Sequence, residues 1–338
     1  MKHCFWVGGY STQNENGIAK VEYDPKNGFT ILENFNGFLN PSFVKEHPLR
    51  KILYAVEETA PQGKVHALRF NDGKLIKANS VSSFGADPCH LSISKDGCFL
   101  YTANYTSGSL AAYELSQEGE IIRLSDFVQH SGTGFDPIRQ EGPHVHYSAE
   151  KDGLLYVCDL GLDQIALYKN KNGKLIKQSA IHLPSGSGPR HIAFTERYPD
   201  RIYCTAELNS RVYVIQKKPD ESYQMIQEKR TVPEGFSGEN TTAAIRFTAD
   251  GRMLMVSNRG HDSIAIFRLD HDGNISSPVI SACVAQPRDF IILGNDVIVG
   301  SQHDSCIHAY RLDEESLRLT DAGWVLPLPH PTSFELSL

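Results

Sequence analysis

A short apolar segment recurs seven times along the chain, and this repeat constrains the fold more than any other feature. The copies are Ile18–Val21, Val65–Leu68, Leu110–Tyr113, Ile165–Tyr168, Val212–Ile215, Ile264–Phe267 and Ile307–Tyr310. Their first residues stand 47, 45, 55, 47, 52 and 43 positions apart, a mean near 48. Each copy follows a second strand-like run: Phe5–Val7, Ile52–Val56, Phe99–Ala103, Leu154–Cys158, Ile202–Ala206, Met253–Ser257 and Val297–Val299. A further strand precedes that run, often opened by proline, at Pro41, Pro88, Pro143, Pro189, Pro287 and Pro331. Asp-Gly pairs at 96–97, 152–153 and 250–251 supply hairpin turns between these two strands. Gly28, Gly73, Gly119, Gly173 and Gly273 follow the repeated segment and introduce a fourth strand.

Four short antiparallel strands in each unit of 40 to 50 residues make a propeller blade. The predicted fold is therefore all-β, a seven-bladed β-propeller spanning residues 1–338 as a single domain. The N-terminus begins at a second strand, and Pro331–Leu338 is a first strand with nothing after it. Joining the two completes one blade and pairs edges that would otherwise invite aggregation. A solenoid offers no such closure. No Trp-Asp dipeptide occurs, so the blades are not of the WD40 type.

The repeat register also places polar residues. In a propeller the first strand lines the channel, and its start shares one face with the end of the second. Glu57, Asn104, Asp159, Glu207, Asn258 and Gln302 close the second strands. Asn and Asp there suit loop capping, whereas the two Glu residues suit it poorly. Positions after the first-strand prolines read Ser42, Cys89, His144, Arg190, Arg288 and Thr332, with His90, His191 and Asp289 next along. Several cations thus gather at one predicted mouth. Insertions near 129–143 and 231–240 lengthen two blades before a first strand, carrying His130 and Arg139 toward the same face.

A net charge of −7 argues against a nucleic-acid partner, yet leaves room for a local cationic site. No apolar run approaches the roughly 20 residues of a bilayer span. The opening residues hold too short an apolar stretch for a secretory leader, so a cytoplasmic protein is expected. The seven cysteines are scattered without a Cys-x-x-Cys pair, which suits buried free thiols rather than zinc or disulfides. No Gly-x-Ser-x-Gly elbow is present.

The strings Asn40–Phe43, Ala103–Ser109, Gly142–His146, Asp159–Asp163, Gly188–His191, Glu207–Ser210 and Ser257–Ser263 together resemble the propeller-type lactonases, in order and at blade spacing. That resemblance covers essentially the whole chain. It departs from the pattern at Thr241-Thr242, where other blades carry Gly-Pro or Asp-Pro. It implies hydrolysis of a small anionic lactone such as 6-phosphogluconolactone, or lactonising cycloisomerisation of a carboxymuconate-like substrate. It further implies a site of a His, a Glu and two Arg, which fall on His144 (with His146 as second choice), Glu207, Arg190 and Arg259. His146, His191, Arg288, Arg139, His90, Asn104 and Asn258 are the expected substrate-binding residues. No metal or cofactor is expected, and the chain is expected to be a monomer or weak homodimer. Two other readings stand beside these. One is a non-enzymatic docking propeller. The other is metal-assisted hydrolysis at the Glu57/Asn104/Asp159/Glu207 ring, whose donors suit a hard cation.

Overall fold

The structure, a computed structural model, describes residues 1–71 and 74–337. It contains seven four-stranded sheets. In six of them four consecutive strands meander antiparallel. In the seventh, the C-terminal strand Pro331–Leu336 pairs with His3–Gly9, followed by Ile18–Asp24 and Gly28–Phe35. The architecture is a seven-bladed β-propeller, with the predicted closure between the chain ends. Helix among the described residues is confined to one 3₁₀ turn, Leu160–Leu162. Among the described residues no helix is long and apolar enough to cross a membrane.

Every copy of the repeated segment falls in the third strand of its sheet. The second strands Ile52–Glu57 and Leu154–Asp159 are buried at every position, as strands covered on both faces must be. Outer strands such as Lys174–His182 bury few positions. Asp152 and Gly153 both take positive φ, 51° and 73°, in a two-residue hairpin loop, the backbone that Asp-Gly adopts with least strain. Gly28, Gly119, Gly173 and Gly273 also have positive φ ahead of their fourth strands. Gly73 lies outside the described residues.

The chain forms two compact units. One comprises Met1–His3, Tyr23–Phe29 and Ser187–Pro331, and the other Cys4–Glu22, Thr30–Gly186 and Thr332–Leu338. In the first unit, Tyr203, Val214, Leu254 and Phe267 pack between two successive sheets. Met255, Ile266, Phe290 and Val299 fill the next interval. In the second unit, Trp6, Leu53 and Leu68 share one core, Tyr54, Leu91 and Tyr113 another, and Tyr101, Val157 and Tyr168 a third. Side chains from neighbouring sheets interdigitate in each, so burial holds sheet to sheet.

First strands carry a repeated irregularity. The pairing register slips between Pro88 and His90, Val145 and Tyr147, Pro189 and His191, Thr242 and Ile245, and Pro287 and Phe290. Such bulges re-aim side chains. Cys89, His146 and Arg190 are the extra residues, and Arg288 and Asp289 occupy the same place in their sheet. This corrects the sequence column that grouped His144 with Arg190. Pro143 and His144 precede their strand, which begins at Val145, and His146 shares the bulge position of Arg190. Pro41 likewise stands before its strand, Val44–Glu46.

Candidate functional site

In the first unit, three predicted residues meet. Glu207 follows directly on the strand Arg201–Ala206, and its N–H donates to the Gly188 carbonyl at 2.7 Å. Glu207 is 4% exposed, and Arg190 is 2% exposed. Arg190 Nε lies 3.0 Å from Glu207 Oε2, and Arg259 Nη2 donates to the same oxygen at 2.8 Å. Arg259 also reaches the Thr242 carbonyl at 3.4 Å. Arg190 Nη1 donates to His191 Nε2 at 3.2 Å, so the imidazole accepts, because a guanidinium has no lone pair to offer. Two cations against one anion leave the trio positive within an acidic chain. Strand geometry brings this about: a bulge aims Arg190, while Glu207 and Arg259 sit at the ends of second strands in adjacent sheets.

Two further predicted residues of this unit, Asn258 and Arg288, sit on strands of the next two sheets. Asn258 is fully buried and donates to the Thr231 carbonyl and Ser263 hydroxyl at 2.7 and 3.2 Å. It ties the end of the strand Met253–Arg259 to Thr231 and to Ser263, at the start of the next strand. Arg288 sits half-buried on its bulge. Beside it the Asp289 carboxylate forms a two-pronged pair with Arg246, at 2.8 Å for the closest contact.

In the second unit, His144 stacks on Tyr105 with ring centroids 4.5 Å apart. His144 Nδ1 is 3.1 Å from the Tyr105 carbonyl, and Nε2 is 3.2 Å from Glu141 Oε1. Slight burial works against the Glu141 charge. Bonds from its own N–H and from His144, with Arg139 nearby, outweigh this and hold its carboxyl below the usual range. His146 meets the Tyr105 ring edge-on at 5.7 Å, and Arg139 Nη2 donates to Tyr105 Oη at 3.3 Å. Tyr105 is therefore the hub of this group. Sequence reasoning passed it over, although it directly follows Asn104.

The His90 ring lies between those of Phe43 and Tyr147, with centroids 4.4 and 4.1 Å away. Asn104 repeats the arrangement of Asn258, donating to the Ser83 carbonyl and Ser109 hydroxyl. Asp159 accepts the backbone N–H groups of His144 and Leu162, at 2.9 and 3.2 Å. His130 Nδ1 donates to its other oxygen at 2.6 Å, and Tyr168 Oη holds His130 Nε2 at 2.8 Å. Glu57 pairs with Lys64 and His66 of its own sheet. Among the described residues, three metal-ligating groups converge only at Asp270, His271 and Asp272, all exposed.

The insertion near 129–143 is pinned through Gln140, which is fully buried. Its Oε1 accepts the N–H groups of Phe135 and Asp136, and its Nε2 donates to the Leu160 carbonyl and Asp163. Both lone pairs and both hydrogens are thus engaged. The loop built this way presents Phe135 and Ile138 at 76% and 80% exposure.

Comparison with known proteins bears on the fold and the family. Residues 4–336 match the family described as Lactonase, 7-bladed beta-propeller. The 6-phosphogluconolactonase of Bacillus subtilis is 31% identical over 98% of this chain and 97% of its own. A solved structure of a protein from Lactobacillus plantarum superposes with a TM-score of 0.91 at 26% identity, covering both chains completely. The periplasmic gluconolactonase of Pseudomonas aeruginosa, at 24% identity, shares the fold with a TM-score of 0.92 over 100% of this chain and 99% of its own. With the blade count, the chain closure and the family match in agreement, the chain belongs to the lactonase family of seven-bladed β-propellers.

Proposed function

We propose that the protein hydrolyses a sugar-derived lactone, with 6-phospho-D-glucono-1,5-lactone as its substrate. The observation that carries this reading is the pair of guanidiniums held on one buried carboxylate oxygen, Arg190 and Arg259 on Glu207. Water adds to the lactone carbonyl, and the carbonyl oxygen gains negative charge. The ring C–O bond then breaks, and the ring oxygen leaves as a hydroxyl after taking up a proton. Arg190 and Arg259 supply donors that stay charged at any working pH, suited to the oxyanion and to an anionic substituent. Glu207 aligns them.

The family resemblance offers two candidates for the proton acceptor, Glu207 and His144, and the pH–rate profile assigns the role. A variant of the true base loses the acidic limb of the profile, whereas a variant of the other lowers the rate and keeps that limb. The Bacillus subtilis relative, named as a 6-phosphogluconolactonase, supports the phosphorylated substrate. The proton acceptor and the oxyanion donors are all side chains of this chain, so the reading requires no cofactor.

The test is acid release from freshly prepared 6-phosphogluconolactone in weak buffer, beside a carboxymuconate substrate. Hydrolysis well above the buffer blank is expected, with Arg190→Leu and Arg259→Leu each slower by about 10²-fold, the scale of a lost oxyanion donor. Acid release equal to the blank would overturn the proposal. Turnover of the carboxymuconate alone would replace it with the cycloisomerase.

A further inference from the structure

We propose that a cavity between two neighbouring sheets of the second unit, walled by Tyr101, Asp96 and Glu150, binds a small hydroxylated amine of about amino-sugar size. It lies at the start of the strand Phe99–Asn104, whereas Tyr105 follows the end of that strand. It shares no residue with those assigned to the lactone, and the inference does not depend on the lactonase reading.

The cavity arises from the length of one turn. Tyr54, Tyr101 and Tyr203 hold the same place in the second strands of three sheets. Tyr54 Oη donates to the Gly119 carbonyl at 2.5 Å, and Tyr203 Oη to the Gly273 carbonyl at 2.7 Å. Each glycine belongs to the turn between third and fourth strands of the following sheet. Both turns are wide, Ser116–Glu120 and Asp270–Asn274, each closed by backbone hydrogen bonds. The turn beside Tyr101 is instead the two-residue hairpin Asn172-Gly173, with φ of 52° and 89°. It stops short of the hydroxyl. A Cβ on Gly173 would meet Ser125 and Phe99, whereas one on Gly119 or Gly273 would meet the tyrosine oxygen. The space left is about 390 Å³, bordered by Lys95, Asp96, Phe99, Tyr101, Glu150 and Leu155. That volume is within the range of small-molecule sites.

The polar groups on its wall select the ligand. Tyr101 is fully buried. Its Oη accepts from Asn170 Nδ2 at 2.8 Å, and Asn170 Oδ1 accepts the Gly173 N–H at 2.7 Å, which fixes the amide orientation. The phenol hydrogen therefore has no acceptor among the described residues. Burial above all, then the nearby Glu150 and Asp96 charges, keep the phenol protonated. Asp96 Oδ1 accepts from Ser94 Oγ and Cys98 N–H at 2.6 and 2.9 Å, and Glu150 Oε2 accepts from Lys95 N–H at 3.2 Å. The other oxygen of each carboxylate is free to accept, and neither forms an ion pair among the described residues. One neutral donor beside two anionic acceptors fits a cation that also carries oxygen. Its ammonium pairs with Asp96 and Glu150, its hydroxyl oxygen accepts from Tyr101, and its carbon skeleton covers Phe99 and Leu155. A bare metal ion fits less well, because it cannot accept the phenol hydrogen and three ligating groups do not converge here.

The experiment is isothermal titration of the full chain at low salt with glucosamine, beside glucose, which has the same ring without the charge, and calcium chloride. Saturable binding of glucosamine is expected, with glucose weaker by about tenfold or more, the scale of a lost charge-assisted hydrogen bond. Tyr101→Phe and Glu150→Gln should each raise the Kd for glucosamine by about fivefold or more. Glu150→Gln should leave lactone hydrolysis unchanged. Should Tyr101→Phe fail to fold, Glu150→Gln and Asp96→Asn, both changes at the rim, still decide. No saturable binding of glucosamine would overturn the proposal, as would equal affinity for glucose or a Kd untouched by the carboxylate variants. Binding of calcium with none of glucosamine would replace it with a metal site.

Discussion

Replacing Glu207 by Gln keeps the shape of the side chain and removes its charge. Arg190 and Arg259 then face a neutral amide, with 3% and 13% of their side chains exposed to water. Breaking a buried pair from one side costs about 3–5 kcal/mol, because the charge left behind stays desolvated. The amide oxygen of Gln still accepts from a guanidinium, which places the loss near the lower end, about 3 kcal/mol. That corresponds to roughly a hundredfold shift toward the unfolded chain. Urea unfolding followed by tryptophan fluorescence reads the change as a lower midpoint at constant slope. Adding Arg259→Leu should cost less than the sum of the two single changes, since it removes one of the stranded cations. Lactone hydrolysis, measured well below the unfolding midpoint, should drop by about 10²-fold or more, because both oxyanion donors lose their common anchor. A Glu207→Gln protein within about 0.5 kcal/mol of wild type, the range of an ordinary surface substitution, would refute the premise that this carboxylate organises the two guanidiniums.

Other outcomes follow from the same contacts. Gly108→Ala forces a Cβ against the Pro143 carbonyl at φ +58°, and thermal unfolding should show a loss of about 2 kcal/mol or more. Gln140→Leu breaks four hydrogen bonds of the insertion. Amide exchange at 134–140 should quicken by at least about tenfold while the strands keep their protection. Burial pushes His66 down to about 4, Lys77 acting in the same direction and Glu57 against it. The unfolded chain takes up that proton near 6.5, so this contribution is complete above about pH 6.5 and is lost as pH falls toward 4. At about 1.4 kcal/mol per pH unit the loss approaches roughly 3 kcal/mol. His47, also shifted down by burial, adds to the slope in the same direction. A urea midpoint that stays flat from pH 7 to 4.5 would contradict this.

The fold was legible because a blade repeats its pattern of burial. A strand between two sheets must be apolar on both faces, so all seven third strands stood out as the same short apolar segment, and the chain ends completed each other. The polar residues at the ends of second strands were legible for a related reason, since they interrupt those runs. Ile52–Glu57, Phe99–Asn104 and Leu154–Asp159 end on them, while Glu207 and Gln302 lie one residue beyond their strands and Asn258 one residue before its end. The bulges were not legible. An extra residue in one strand alters pairing without altering composition, so Pro143-His144 and Pro189-Arg190 look alike as dipeptides and differ in register. Partners within a loop were equally hidden: nothing in the string around Gln140 marks it as the residue whose four bonds fix the insertion. Tyr105 went unnoticed because its backbone carbonyl, which any residue would supply, does half of its work.

The most direct test of the central claim is a crystal structure with the product 6-phosphogluconate bound. The account predicts an anionic group of the product, its new carboxylate or its phosphate, within hydrogen-bond distance of the Arg190 and Arg259 guanidiniums, with Glu207 still between them. Product bound elsewhere, with both guanidiniums untouched, would contradict it.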